Sequence, residues 1–263
     1  MAKTAEMTGG EALVQAVLRH GVDTVFGLPG VQMYALFDAL ARHESQVRTI
    51  ISRHEQGAAY MAMGYAKATG KPGVYTVVPG PGVLNTTAAL CTAWAGNNPV
   101  VCLTGQIPSA FMGRRRGQLH ELPDQLATLA TLTKWARRAG SPSEVPALVD
   151  EAFAQATGGR PGPVSLEIFW DHLLQKEDMT LPDLVAPQAP PAPDPESLAE
   201  AAKLLAKAKK PMIWLGTGAQ EAGEAVLALA DLLDAPVASL RGGRGVVAED
   251  HELGVSALVG YEL

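Results

Sequence analysis

The chain has 263 residues, 47% of them hydrophobic and 18% charged, which is enough apolar material for one large domain or two modest ones and too much for a disordered polymer. A formal net charge of −6 argues against a nucleic-acid partner or an anionic membrane surface, either of which needs clustered Lys and Arg. Cys91 and Cys102 have no CxxC partner, the start MAKTAEMTGGEALVQ lacks a secretory pattern, and no apolar run reaches the ~18 residues of a membrane span; the expectation is a cytoplasmic protein acting on small molecules.

The first half alternates helical and strand patterns. Thr8 with Glu11 three positions on makes a capping box, and Leu13, Val14, Val17 and Leu18 share one face of a helix that Gly21 closes. The β-branched run 22–26 ends at Gly27-Leu28-Pro29-Gly30. A helix at 33–42 leads to a strand at 47–52, a Gly- and Ala-rich helix at 54–70 and a strand at 73–78. The turn Pro79–Gly82, a helix at 84–94 and a strand at 99–105 follow. An irregular stretch, 106–125, interrupts the alternation before a short helix, a strand at 133–139, a helix at 144–157 and a strand at 163–169. Continuous apolar strands separated by helices predict an α/β doubly wound parallel sheet over 1–178, covered on both faces. In such sheets ligands sit at strand carboxyl ends, here the loops after Phe26, Ser52, Val78 and Leu103.

Six prolines within 181–196 place a semi-extended linker at 179–196. A second α/β pattern then begins, with a helix from 196, a strand at 211–216, a helix at 219–234 and a strand at 236–240. Two strands and two helices are too few for a covered sheet, so 197–263 reads as an incomplete second domain.

Glu55 is the sharpest candidate for chemistry. It stands just past a buried strand, at the start of a small-residue helix, on the edge where ligands bind. A carboxylate among apolar neighbours can keep or lend a proton near neutrality; the alternative is a helix N-terminal Glu favoured by the macrodipole. The run GTGAQEAG at 216–223 follows a strand and opens a helix, yet its glycines are not spaced GxGxxG, so dinucleotide binding rests on it only weakly. Arg114, Arg115 and Arg116 read as a solvated basic loop or as contacts for a phosphate-bearing substrate.

Five segments change the weighing: GVDTVFGLPG (21–30), ISRHEQGAAYMAMGYAKATGKPGV (51–74), VVPGPGVLN (77–85), PVVCLTGQIP (99–108) and ATGGRPGPVSLEI (156–168). In order and spacing they resemble thiamine-diphosphate-dependent enzymes of the acetolactate synthase and benzaldehyde lyase type, and residues from 210 onward resemble the start of that family's middle domain. The resemblance implies that Glu55 hydrogen-bonds N1′ of the cofactor's aminopyrimidine, promoting the imino tautomer that deprotonates thiazolium C2 for attack on a 2-oxo acid or aldehyde. It places Pro79, Gly80 and Asn85 under the pyrimidine ring, Pro29 and Gly30 near the reacting carbon, and Val31 and Gln32 on the substrate side. Leu119, His120 and Glu121 stand where acetolactate synthases carry Phe-Gln-Glu, so another acceptor, or lyase chemistry, stays open.

The resemblance further implies Mg²⁺ held with the diphosphate in a separate domain marked by Gly-Asp-Gly, a triplet that does not occur here, so no metal ligand is assigned to this chain. Some members hold FAD at the position of 216–223. The family's active site lies between two subunits, which implies at least a dimer, with helices 54–70 and 82–95 as its interface. The chain is thus expected to carry the pyrimidine half of a longer enzyme, with a naturally short subunit completed by a partner chain as the alternative. An unrelated dinucleotide-binding protein ranks last.

Overall fold

A computed structural model describes residues 3–184, 191–248 and 250–255, and the chain divides into two units, 1–188 and 189–263. In the first unit, strand β1 (Lys3–Thr8) runs into helix α1 (Gly9–Arg19), whose cap is Thr8: its hydroxyl accepts the Glu11 N–H at 3.1 Å. The strands that follow are β2 (Thr24–Gly27), β3 (Arg48–Ile51), β4 (Gly73–Val77), β5 (Val100–Gln106), β6 (Trp135–Ala139) and β7 (Val164–Phe169). The intervening helices are α2 (Tyr34–Arg42), α3 (Glu55–Thr69), α4 (Pro81–Ala95), α5 (Gln125–Ala130) and α6 (Val145–Thr157), and α7 (Trp170–Leu174) follows β7. All six strands pair in parallel in the order β3-β2-β4-β5-β7-β6.

Both faces of this sheet are covered. On one face α1, α2 and α6 bring Leu13, Val17, Leu36, Leu40, Val149 and Phe153 down on the sheet's Val25, Val101, Leu103 and Leu166. On the other, α3 and α4 pack Ala58, Ala62, Leu90 and Ala93 against Phe26, Tyr75, Val77 and Cys102. Every residue of β4, β5 and β7 is buried, which is why those strands read as continuous apolar runs. The doubly wound α/β class is the one the sequence predicts. The helix expected at 84–94 starts earlier, because Pro81 has the fixed φ that suits a first helical position and Gly80 supplies the cap.

One pair of strands escapes the periodicity reading. β1 pairs antiparallel with β8 (Lys176–Leu181), so Met179–Leu181, assigned to the linker from the sequence, are strand residues. Among the ribbon residues whose burial is described, only Met7 and Met179 are buried, and so short and polar a pair carries little apolar signal. Residues 185–190, the middle of the expected linker, lie outside the described residues.

In the second unit, α8 (Pro195–Lys207) is capped by Asp194, whose carboxylate accepts the Ser197 N–H at 2.9 Å, and none of its residues is buried. β9 (Ile213–Leu215), α9 (Gly223–Leu233) and β10 (Val237–Ser239) follow the predicted order. A third strand, β11 (Gly254–Val255), adds to the expected two and gives a parallel sheet ordered β11-β10-β9 over a small core of Leu215, Ala230, Val237 and Val247. At two residues β11 is too short to show a period. Among the described residues no helix is long and apolar enough to cross a membrane.

Candidate active site

The parallel order brings the carboxyl ends of β2, β3, β4 and β5 to one edge of the sheet. The helices that leave β2 and β4 cover opposite faces, so a crevice opens between the loops after these neighbouring strands. Gly30 and Val78 meet there: a Cβ on Gly30 would lie 2.3 Å from Val78 Cγ1. The Gly30 backbone is extended, so the requirement for glycine is one of space and not of φ. Beside it Pro29 is exposed, Val31 half-buried and Gln32 buried.

Gly80 is required on both counts. Its φ of +61° lies where side chains are rarely accommodated, and a Cβ would sit 2.5 Å from the His120 carbonyl oxygen. Its N–H donates to Gln125 Oε1 at 2.8 Å, while its carbonyl accepts the Leu84 N–H at 2.9 Å and so begins α4. Pro79 is buried over Gly105, where an added Cβ would lie 3.3 Å from both Pro79 Cδ and Gln32 Cβ. His120 itself adopts φ +68°. Its ring Nδ1 lies 3.2 Å from Gln32 Oε1, and Gln32 Nε2 donates to the Leu119 carbonyl at 3.1 Å. With an amide oxygen as partner, the imidazole donates from Nδ1, which leaves Nε2 of the neutral ring as an acceptor. The Leu119 side chain is exposed.

Glu55 is the first residue of α3. His54 caps that helix by accepting the Gln56 N–H on Nδ1 at 3.2 Å, and the Ser52 hydroxyl donates to the His54 carbonyl at 2.9 Å. From the first turn and a half of α4, Asn85 Nδ2 donates to Glu55 Oε2 at 2.9 Å. Oε1 has no hydrogen-bond partner among the described residues. The carboxylate is half-buried and Asn85 exposed, so within this chain Glu55 stands at an open edge and is not enclosed.

The sequence-nominated residues thus fall into two groups, Glu55 with Asn85, and Gln32, Leu119 and His120 around Pro79 and Gly80. No hydrogen bond joins the groups directly among the described residues; the start of α4 connects them. Arg114, Arg115 and Arg116 are all exposed.

Sequence reasoning missed a buried polar cluster beneath the Gly80 turn. Gln125, at the start of α5, donates from Nε2 to the Gly105 carbonyl at 3.0 Å and to Glu167 Oε2 at 2.9 Å. Glu167 is fully buried on β7 and pairs with Arg138 of β6. Burial pushes its carboxyl above the ordinary range, and Arg138, Gln125 and Gln106 pull it only part of the way back. The available signal was a Glu within the apolar strand PVSLEIF, since a charge in a buried strand demands a partner. Cys102, by contrast, is a core thiol that burial holds at about 12, inert as a nucleophile.

Gly30 and Gly80 leave room where a Cβ would clash, and a half-buried carboxylate presents one unpartnered oxygen at the same sheet edge. Among the described residues no group of three or more His, Cys, Asp or Glu could hold a metal ion.

Comparison with known proteins bears on the same site. Residues 7–128 match the family model described as thiamine pyrophosphate enzyme, N-terminal TPP binding domain, and residues 198–262 match the thiamine pyrophosphate enzyme central domain. A Pseudomonas aeruginosa protein named "Probable 2-ketoarginine decarboxylase" is 40% identical over 252 residues, 95% of this chain and 45% of its own length. The chloroplastic acetolactate synthase of Arabidopsis thaliana is 34% identical over 256 residues, 95% of this chain and 38% of that one. An acetolactate synthase of Arthrospira platensis is 34% identical over 265 residues, 97% of this chain and 45% of that one. The chain therefore spans less than half the length of these relatives. With both domain models matched in order and acetolactate synthases among its relatives, the chain belongs to the thiamine pyrophosphate enzymes of the acetolactate synthase type.

Proposed function

We propose that this chain supplies the pyrimidine-binding half of a thiamine-diphosphate-dependent enzyme that decarboxylates or ligates 2-oxo acids, with Glu55 as the carboxylate that addresses N1′ of the cofactor. The observation that carries this reading is the Glu55–Asn85 pair: Asn85 holds Oε2 at 2.9 Å and leaves Oε1 free to share a proton with a ring nitrogen at the sheet edge. Bound there, thiamine diphosphate supplies the carbon nucleophile that adds to a carbonyl substrate. The chain's own residues bind and orient. Pro79 and Gly80 form a floor beneath the ring, Pro29 and Gly30 border the reacting carbon, and Val31, Gln32, Leu119 and His120 face the substrate.

Relatives named for 2-ketoarginine decarboxylation and acetolactate synthesis support a 2-oxo acid donor. Leu119-His120 in place of Phe-Gln favours, as a second reading, carboligation or cleavage with an aldehyde. A second subunit is supported by the open setting of Glu55 and by Ile51, Tyr60 and Leu84, apolar side chains exposed on the neighbouring β3, α3 and α4. Mg²⁺ is assigned to the diphosphate domain of the complete enzyme.

A screen of 2-oxo acids, with and without aldehyde acceptors, tests the reaction. Release of CO₂ from at least one acid, dependent on thiamine diphosphate and Mg²⁺, is expected of the complete enzyme. Aldehyde cleavage without decarboxylation would select the second reading, and neither activity would overturn both.

A further inference from the structure

Beneath the proposed pyrimidine site lies a polar cluster that the reading above leaves without a task. Gln125 is 1% exposed and Glu167 0%, yet Gln125 is fully satisfied. Its Oε1 accepts the Gly80 N–H at 2.8 Å, and its two Nε2 hydrogens go to the Gly105 carbonyl at 3.0 Å and Glu167 Oε2 at 2.9 Å. Glu167 is held in turn by the Arg138 guanidinium, which also lies over the Phe169 ring, 5.5 Å from its centroid. Gln106 turns its Nε2 toward Glu167 Oε2 at 3.5 Å and accepts the Ile107 N–H on Oε1 at 2.8 Å. One carboxamide therefore ties the turn after β4 to β5 and β7.

What it fixes matters for Glu55. Gly80 is the cap of α4, and its carbonyl starts that helix by accepting from Leu84. The next residue, Asn85, carries the amide that donates to Glu55. A continuous path runs from the Arg138–Glu167 pair through Gln125, Gly80 and the first turn of α4 to Asn85 and the carboxylate. Charge buried beside a partner is expensive to keep, so a network of this kind is favoured where it fixes one geometry. We infer that Gln125 is a positioning residue: by clamping the Gly80 peptide it sets the start of α4 and so holds Asn85 against Glu55. The inference rests on the proposed role of Glu55.

Hydrogen exchange and kinetics test it separately. In the unmutated chain the Gly80 amide should exchange as slowly as those of Leu103 and Leu166 in the core strands. Q125L should speed Gly80 by about tenfold or more while the amides of α1 and α6 keep their protection. In the complete enzyme, Q125L should lower C2 proton exchange at saturating thiamine diphosphate by about tenfold, leave the cofactor KM within about twofold, and add nothing to the effect of N85A. Exchange of Gly80 at the rate of an open turn in the unmutated chain overturns the inference without any variant, and so does additivity of Q125L with N85A. If E55Q instead leaves C2 exchange intact, the proposed role of Glu55 fails while the Gly80 protection still stands or falls by itself.

Discussion

At Gly80 and Gly30 an added Cβ would crowd the edge of the sheet, but for different reasons, and the difference is measurable. An alanine at 80 would combine a φ of +61° with a Cβ 2.5 Å from a backbone carbonyl, neither of which can yield cheaply. An alanine at 30 would meet only the Val78 side chain, which can rotate away. G80A is therefore expected to destabilise by about 1–3 kcal/mol in urea unfolding and G30A by less. An equal cost at both positions would refute the distinction. Gly80 was legible in the sequence because Pro-Gly-Pro-Gly after a strand is turn chemistry, and Glu55 because a lone carboxylate follows a strand at a ligand-binding edge. The partners of Gly80 were not legible. Gln125 lies 45 residues away and Glu167 two strands further along the chain, and local periodicity carries no information about which distant carboxamide meets which amide.

At the scale of elements, α1 and α2 are strapped together by one carboxylate. Glu11 accepts from Gln15 Nε2 at 2.8 Å, from Arg42 at 3.0 Å and from His43 Nε2 at 2.6 Å. Burial pushes its carboxyl up, and the bonds from Gln15, His43 and Arg42 outweigh it, so the group sits below its ordinary value of 4.5. A carboxyl with a lower pKa folded than unfolded adds stability above about pH 4.5, and that contribution is lost as pH falls through the folded value. E11Q should thus cost about 1 kcal/mol at pH 7 in urea unfolding, with the gap to the unmutated chain closing below pH 4. A gap that persists at low pH would place the effect in packing. Sequence pattern located these helices to within a few residues, since caps and apolar stripes are local. It missed the ribbon β1–β8, whose registry comes from pairing across the whole first unit.

For the whole molecule, the proposal is a site divided between this chain and a diphosphate-binding domain. Glu55 stands at an open edge of this chain, with Oε1 unpartnered among the described residues. Residues 1–263 alone are therefore expected to show no micromolar binding of thiamine diphosphate with Mg²⁺ by calorimetry, and such binding would contradict the division. The role of Glu55 is tested most directly by deuterium exchange at C2 of thiamine diphosphate bound to the complete enzyme, with E55Q compared at saturating cofactor. A fall of about a hundredfold or more with an unchanged unfolding midpoint is predicted; exchange at a near-normal rate would contradict the role given to Glu55.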